Sequence, residues 1–337
     1  MNIYFATNRN PDNVENPTAF GKDFSTNGLT DLRFGKAVFD GDSYELHVAK
    51  ENLQVPEEAA AAHDFSGQVL GSQSLFSEIQ KRMRKEKRDA VIFIHGYGVS
   101  FDKAVRRTRK LADAYGDKDL IWILFSWPSD GSKAWFKAYK NDRVDAAASG
   151  AAMSRALQKL ASFLRRPVTG ELCKQNVHIM AHSMGNYALR HAVQDVKKSA
   201  GSNIRRLFTQ VLLVAADEDD DAFELDHKLV PLIDMAERLT VYCDPGDAAL
   251  MISDSTKGNP DRLGASGPRN PRLLRNKVTV VNVKQVTKWD GSVADHSYHA
   301  DNKYVVEDIL KVLDGDEDDD FSKRKFSQER SVFFLKK

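Results

Sequence analysis

Six short, mostly apolar runs alternate with helix-like segments along this chain, and no other feature of the sequence constrains the fold as strongly. The runs are AVIFI (90–94), LIWILF (120–125), NVHIMA (176–181), VLLVAA (211–216), RLTVYC (238–243) and KVTVVNV (277–283). Strands that are buried on both faces of a parallel sheet have this pattern, because neither face meets water. The alternation with helices predicts an α/β fold with a mostly parallel central sheet and helices on both faces.

The size and charge of the chain limit its class. With 337 residues and 42% hydrophobic content, the chain is long enough to bury a sizeable core. Its formal charge is +1, from 49 basic and 48 acidic residues. So small a net charge indicates neither a nucleic acid nor an anionic membrane surface as an obligatory partner.

The sequence carries no sign of export or membrane insertion. No apolar run approaches the roughly 18 residues of a membrane-spanning helix. The N-terminus, MNIYFATNRN, lacks the basic start and the apolar core of a secretion signal. The two cysteines, Cys173 and Cys243, provide no disulfide framework. These features predict a cytoplasmic protein without an integral membrane segment.

The composition divides the chain near residue 312. Residues 1–312 are predicted to form one α/β domain, with antiparallel edge strands supplied by the more alternating N-terminal runs. Residues 129–143 are expected to form a small cap over the site or to close an edge of the core. Residues 313–337 carry an acidic block followed by a basic block, which is typical of a flexible, solvated tail. Docking of the closing SVFFLKK on the body is the alternative.

A lone serine follows the third apolar run. Ser183 lies at a predicted strand-to-helix turn, with the small residues Ala181 and Gly185 two positions before and after it. This is the pattern of a nucleophile elbow, in which a sharp turn exposes the hydroxyl. Because small-x-Ser-x-Gly alone is a common pattern, the interpretation depends on its context. A helix N-cap is the alternative.

Two backbone donors are predicted for an oxyanion hole. The helix after the elbow directs the N–H of Met184 toward the developing oxyanion. The HGYG loop after the first run is expected to supply the second N–H, from Tyr97.

The ends of the later runs carry a carboxylate and then histidines, in the chain order Ser, Asp, His of nucleophile-elbow hydrolases. Asp247, in CDPGDAAL, is the predicted acid, and Asp244 in the same turn is interpreted as a turn former. His296 follows the last run and is the predicted base. His299, about one helical turn later, is expected to be exposed.

Asp217 and Asp219 follow the fourth run and are the rival candidates for the acid. The segment DEDDD (217–221) is also a candidate site for a divalent cation. It lacks the glycine and the distal glutamate of an EF-hand, so a solvated loop is favoured and no metal is assigned. The sequence has no nucleotide-binding loop and no zinc-ligand spacing, and no cofactor is predicted.

Asp217 and Asp219 are also candidates for lining the pocket, together with three further residues. His95 begins the HGYG loop and is expected to shape it. His182 precedes the serine and is expected to pack beneath the elbow. Trp127 follows the second run, at the same edge of the predicted sheet.

Ten motifs together resemble those of a bacterial family of α/β hydrolases of unknown function. The matching segments are YFATNR (4–9), FIHGY (93–97), FDKAVRR (101–107), FSWPSDG (125–131), AHSMGN (181–186), DEDDD (217–221), TVY (240–242), DAAL (247–250), RLG (262–264) and HSY (296–298). The resemblance covers about residues 3–310. It implies the α/β-hydrolase fold and supports the predicted triad, but it implies no substrate. The chain departs from the family pattern at Ala216, where proline is more usual, and at Val99.

These features predict a serine hydrolase that acts on a carboxylic ester of a small-molecule or lipid-like acyl substrate through an acyl-enzyme. Amide and thioester hydrolysis use the same machinery and stay open. The alternative, from another class, is a non-catalytic α/β-hydrolase scaffold that binds a ligand or a protein partner.

Overall fold

The apolar runs form strands of one large sheet. The computed structural model describes residues 1–50, 71–130, 135–164, 173–201, 204–255, 261–287 and 296–337. The strands in this part are β1 Asn2–Thr7, β2 Arg9–Pro11, β3 Phe20–Phe24, β4 Arg33–Asp40, β5 Ser43–Val48, β6 Ala90–Ile94, β7 Ile121–Ser126, β8 Val177–His182, β9 Phe208–Val214, β10 Ala236–Cys243, β11 Val278–Asn282, β12 Arg324–Ser327 and β13 Val332–Leu335. The helices are α1 Gly71–Glu86, α2 Phe101–Ala114, α3 Trp135–Ala148, α4 Gly150–Leu164, α5 Gly185–Ala200, α6 Val230–Met235, α7 Ala248–Ser255, α8 Leu263–Ser266, α9 Tyr298–Asp301 and α10 Lys303–Asp314.

Eleven of these strands pair in the order β12-β13-β11-β10-β9-β8-β6-β7-β1-β4-β5. From β13 to β1 in this order, each strand runs parallel to its neighbours. Within the described residues of this sheet, antiparallel pairs lie at its two ends, where β12 joins β13 and the hairpin of β4 and β5 joins β1. The predicted mostly parallel sheet is confirmed, and the N-terminal runs supply its antiparallel edge.

Helices cover both faces of the sheet, which explains the mostly apolar runs. In β6, Ile92 and Ile94 pack into the layer formed with α1, α4 and α5. The alternate side chains, Val91 and Phe93, pack into the layer formed with α2 and α10. Burial of a large apolar side chain contributes about 1.5 to 3 kcal/mol. A strand buried in this way on both faces holds the residues at its end in a fixed position.

Two helices follow β7. Residues 131–134 of the predicted cap 129–143 lie outside the described residues, and Trp135 begins α3. This helix and α4 meet at Ser149.

The prediction of a flexible tail over residues 313–337 is wrong. After α10 ends, β12 and β13 form a hairpin, and β13 pairs with β11 and extends the central sheet. Arg324 donates from Nε to Asp308 Oδ1 (2.8 Å) and from Nη2 to Asp308 Oδ2 (2.7 Å). The two side chains are 1% and 3% exposed, respectively. Because this bidentate pair is buried and β13 covers the edge of β11, the charged segment is ordered despite its composition.

No helix among the described residues combines the length and the apolar character that a bilayer crossing requires.

Candidate active site

Ser183 occupies a strained turn between β8 and α5. Its φ is 54°, a left-handed backbone conformation that is costly for a residue with a side chain. The turn is fixed from the next strand, because the Ser183 N–H donates to the Val214 carbonyl (3.0 Å) and the Ser183 carbonyl accepts from the Asp217 N–H (3.1 Å). The strain and the bonds that maintain it have the form of a nucleophile elbow.

Two glycines permit the close approach of backbone around this turn. A Cβ on Gly185 would lie 2.6 Å from the Ile94 carbonyl oxygen and 2.7 Å from that of His95. A Cβ on Gly96 would lie 2.7 Å from the Cβ of Ser183. Since real Cβ atoms do not approach other atoms so closely, the elbow and the HGYG loop need glycine at both positions.

Asp247 and His296, the predicted acid and base, are in contact. The Nδ1 of His296 lies 2.7 Å from Oδ2 of Asp247, which is fully buried. The other carboxylate oxygen, Oδ1, accepts the backbone N–H groups of Ala249 (3.0 Å) and Leu250 (3.2 Å) at the start of α7. Asp247 therefore caps a helix with one oxygen and presents the other to the imidazole. Asp244 accepts the Gly246 N–H (2.8 Å), as expected of a turn former.

His182 connects the base to the elbow. Its ring centroid lies 4.7 Å from that of His296, and its Nε2 donates to the backbone carbonyl of His296 (3.0 Å). Burial and the neighbouring imidazoles His299 and His296 hold the pKa of His182 well below its ordinary value. A neutral His182 therefore packs beside Ser183 and fixes the chain that carries the base.

The expectation that His299 is exposed is wrong. His299 is buried, and its ring lies 4.4 Å from that of His182. Burial, with the charge of neighbouring groups such as His296, lowers its pKa to about 3. His299 thus forms a neutral wall behind His182.

Tyr298 ties two strand ends together near His296, and the sequence did not single it out. Its buried hydroxyl donates to the Tyr242 carbonyl (3.0 Å) and accepts the Ala215 N–H (2.9 Å). This hydroxyl therefore joins the ends of β9 and β10. It belongs to the residue two positions after His296. The HSY motif was the signal that could have revealed it.

Asp142 holds the HGYG loop and was also missed. Its Oδ2 accepts the Gly98 N–H (3.0 Å) and the Ser129 hydroxyl, and its Oδ1 accepts the Asp130 N–H (2.8 Å). Burial raises its pKa. The loop that contains Tyr97 is thus fixed by a carboxylate 45 residues further along the chain.

His95 and Trp127 lie beneath the same loop. Their rings stack with centroids 5.1 Å apart, and Trp127 Nε1 donates to the His95 carbonyl (2.8 Å). His95 Nδ1 donates to the Gly96 carbonyl (2.8 Å), and burial holds the pKa of this histidine well below its ordinary value. Both residues support the loop from inside.

Arg9 is the third support, and it comes from the N-terminal motif. Its guanidinium is buried and donates to the carbonyls of Val99 (2.7 Å) and Gly21 (3.0 Å) and to the Ser126 hydroxyl (2.9 Å). Burial lowers its pKa to about 9. Arg9 therefore joins the HGYG loop to the end of β7.

The acidic segment 217–221 forms a network of ion pairs. Asp217 accepts the Tyr139 hydroxyl (2.7 Å), and its carboxylate lies 3.4 Å from Arg262. Asp219 accepts from Arg262 (2.7 Å) and Lys228 (2.8 Å). Further pairs join Glu218 to Arg190, Asp220 to Arg269 and Asp221 to Lys228.

These ion pairs bear on two alternatives that the sequence left open: a divalent-cation site in this segment, and Asp217 or Asp219 as the triad acid. In the part of the chain that the structure describes, no group of His, Cys, Asp and Glu side chains has the arrangement of a metal site. The carboxylates of 217–221 face cations, and Asp247, rather than Asp217 or Asp219, contacts the imidazole of His296.

The fold, with helices on both faces of a mostly parallel sheet, and the strained turn after β8 define an α/β hydrolase. The chain belongs to the family described as alpha/beta hydrolase of unknown function (DUF900), whose model matches residues 72–313. The matched region contains Ser183, Asp247 and His296, and it excludes Arg9 and the C-terminal hairpin. A search of curated proteins found no match.

Proposed function

We propose that the protein is a serine hydrolase that cleaves carboxylic esters with a triad of Ser183, His296 and Asp247. Two observations carry the proposal: the 2.7 Å contact between Asp247 and His296, and the φ of 54° at Ser183, whose neighbour His182 contacts the His296 ring. A scaffold that only binds a partner has no need of a strained serine and a buried carboxylate–imidazole pair together.

Each member has a defined role. Asp247 orients His296 through Nδ1, so that Nε2 is the nitrogen that accepts the proton of Ser183. The Ser183 oxygen attacks the ester carbonyl and forms a tetrahedral oxyanion. His296 then gives the proton to the leaving alcohol, and the acyl group stays on Ser183. A water molecule, activated by the same imidazole, attacks the acyl-enzyme and releases the carboxylic acid.

The oxyanion is assigned to two backbone N–H groups. Met184 begins the helix after Ser183 with φ −61° and ψ −15°, so its N–H lies at the N-terminus of α5. Among the described residues, this N–H donates to no backbone carbonyl. Tyr97 is the second assigned donor, because Asp142 and His95 fix the loop around it. Each such donor accounts for about 10²–10³ in rate in other hydrolases.

A panel of p-nitrophenyl esters of increasing acyl length tests the proposal. We expect the wild type to release a burst of nitrophenol, followed by slower turnover, and acid quenching to leave the acyl group on Ser183. Ser183→Ala is expected to abolish both phases. Ser199→Ala, an exposed serine near the end of α5, is the matched control and is expected to behave as wild type.

Ester turnover that is unchanged in Ser183→Ala would contradict the proposal. A folded wild type that neither turns over any ester nor carries an acyl group would favour the scaffold alternative.

A further inference from the structure

A cavity lies beside the C-terminal hairpin. It has a volume of about 640 Å³ and extends from the ends of β10 and β11, at Cys243 and Asn282, to the turn that precedes β13. Its walls are the acid turn at Pro245, the segment 266–273 and the turn of the C-terminal hairpin at Arg330. The cavity has no role in the proposed ester chemistry.

Arginine dominates the charge of this cavity. Its lining includes three guanidinium groups, those of Arg269, Arg272 and Arg330, and one carboxylate, that of Glu329. Arg269 is paired with Asp220. Among the described residues, neither Arg272 nor Arg330 lies within 4.0 Å of a carboxylate oxygen, which leaves an excess of positive charge in a chain whose net charge is only +1.

Two of these arginines are held in place before any ligand arrives. Arg269 donates from Nε and Nη2 to both carboxylate oxygens of Asp220. Arg272 donates from Nη2 to the backbone carbonyl of Glu329, which joins the segment 266–273 to the hairpin without neutralising the charge. Anchored guanidinium groups lose little side-chain entropy when they bind an oxyanion, and their planar fork matches carboxylate and phosphate oxygens.

Apolar side chains complete the lining. Leu273, which is 79% exposed, lies on one wall, and Val332 and Phe334 lie on another. We propose that this arginine cavity binds an anionic amphiphile, in which a carboxylate or phosphate head group meets Arg272 and Arg330 and a short apolar chain covers Leu273 and Phe334.

Isothermal titration of the full chain with octyl phosphate and octanoate tests the proposal and distinguishes the two head groups. Inorganic phosphate represents the anionic head group alone, and octanol represents the apolar chain alone. We expect at least one amphiphile to bind about tenfold or more tightly than either half, and to bind less tightly as salt is added.

The double variant Arg272→Gln/Arg330→Gln is expected to weaken this binding about tenfold or more. Both side chains are exposed, so the thermal midpoint without ligand is expected to stay near that of wild type. Arg275→Gln is the matched control, because Arg275 pairs with Asp234 and is not part of the cavity lining. A second variant, Leu273→Asn, is expected to weaken the amphiphile and leave inorganic phosphate unchanged.

Amphiphiles that bind no more tightly than their halves would overturn the proposal. The proposal would also be overturned if the double variant, like the control Arg275→Gln, bound the amphiphiles as tightly as the wild type does. The ligand would then occupy another site.

Discussion

Two sets of carboxylates lie at the carboxyl edge of this sheet, and their partners separate them. Asp247 accepts two backbone N–H groups and the imidazole of His296. The acidic segment 217–221 faces arginine and lysine side chains instead. Asp247 therefore faces an imidazole, the usual proton carrier of general acid–base catalysis, whereas the segment faces guanidinium and ammonium groups.

The difference shows what makes a carboxylate suited to catalysis. An imidazole can pass a proton on, so the carboxylate beside it can act in a reaction. A carboxylate that is neutralised by guanidinium groups joins two parts of the chain and holds them together. Density of acidic residues in the sequence is therefore a poor guide to the triad acid, and the single Asp247 is the better candidate.

Replacing each candidate acid by asparagine in turn gives the largest expected effect on the labelling of Ser183. Asp247→Asn removes the charge that orients His296, and we expect the rate of Ser183 labelling by a fluorophosphonate to fall about 10⁴-fold. Asp217→Asn keeps that pair intact and is expected to cost less than about tenfold. Second-order labelling rates of the two folded variants provide the measurement. A larger loss in Asp217→Asn would reverse the assignment of the acid.

Removal of a cation from the acidic segment is expected to reduce stability rather than chemistry. Arg262 is fully buried and joins Asp217 and Asp219, so Arg262→Met leaves two carboxylates with fewer partners. We expect the free energy of unfolding in urea to fall by about 3 to 5 kcal/mol. Arg275→Met, which breaks an exposed pair with Asp234, is the control and is expected to cost less than about 1 kcal/mol. Equal losses in the two variants would remove the structural role assigned to the segment.

Tyr298→Phe tests how the base is positioned. The change leaves the buried Ala215 N–H without its acceptor, which is expected to cost about 1 to 3 kcal/mol of stability. We also expect labelling of Ser183 to slow about tenfold or more, because His296 is two residues away. Tyr304→Phe is the control, since the Tyr304 hydroxyl makes no hydrogen bond among the described residues. A labelling rate in Tyr298→Phe that equals wild type would show that the hydroxyl serves stability alone.

The smallest expected effect is the contribution of the acidic segment to the pH dependence of stability. Burial alone would raise the pKa of Asp219, but the hydrogen bond from Lys228 and the charge of Arg262 lower it below its ordinary value. A lowered pKa in the folded state contributes stability that is present above the unfolded pKa of about 3.9 and is lost as the pH falls further.

Asp219→Asn is therefore expected to flatten the loss of stability below about pH 4, as measured by urea unfolding between pH 6 and pH 3. Asp234→Asn is the matched surface control. If the loss of stability between pH 6 and pH 3 is the same in Asp219→Asn as in the wild type, other carboxylates dominate the pH dependence of stability.

Much of the fold could be predicted because it depends on local pattern. The apolar run before Ser183 is a strand, and the residues after it form a helix, as the sequence alone indicates. The catalytic roles of Ser183, Asp247 and His296 stay predictions, although the contact between the last two was expected from chain order.

The rest could not be predicted because it depends on partners that are distant in sequence. The C-terminal strands are short and lie among charges, and their order comes from the pair of Arg324 with Asp308. Arg262 reaches Asp219 across 43 positions, and Asp142 reaches Gly98 across 44. His299 gave no local sign of burial, because the residues that enclose it belong to other elements.

The most direct test of the central claim is the intact mass of the folded wild type after treatment with a fluorophosphonate, with peptide mapping of the modified residue. We expect a single adduct on Ser183, which is lost in His296→Ala while circular dichroism shows that this variant is folded. An adduct on any other residue, or a folded wild type that forms none, would contradict it.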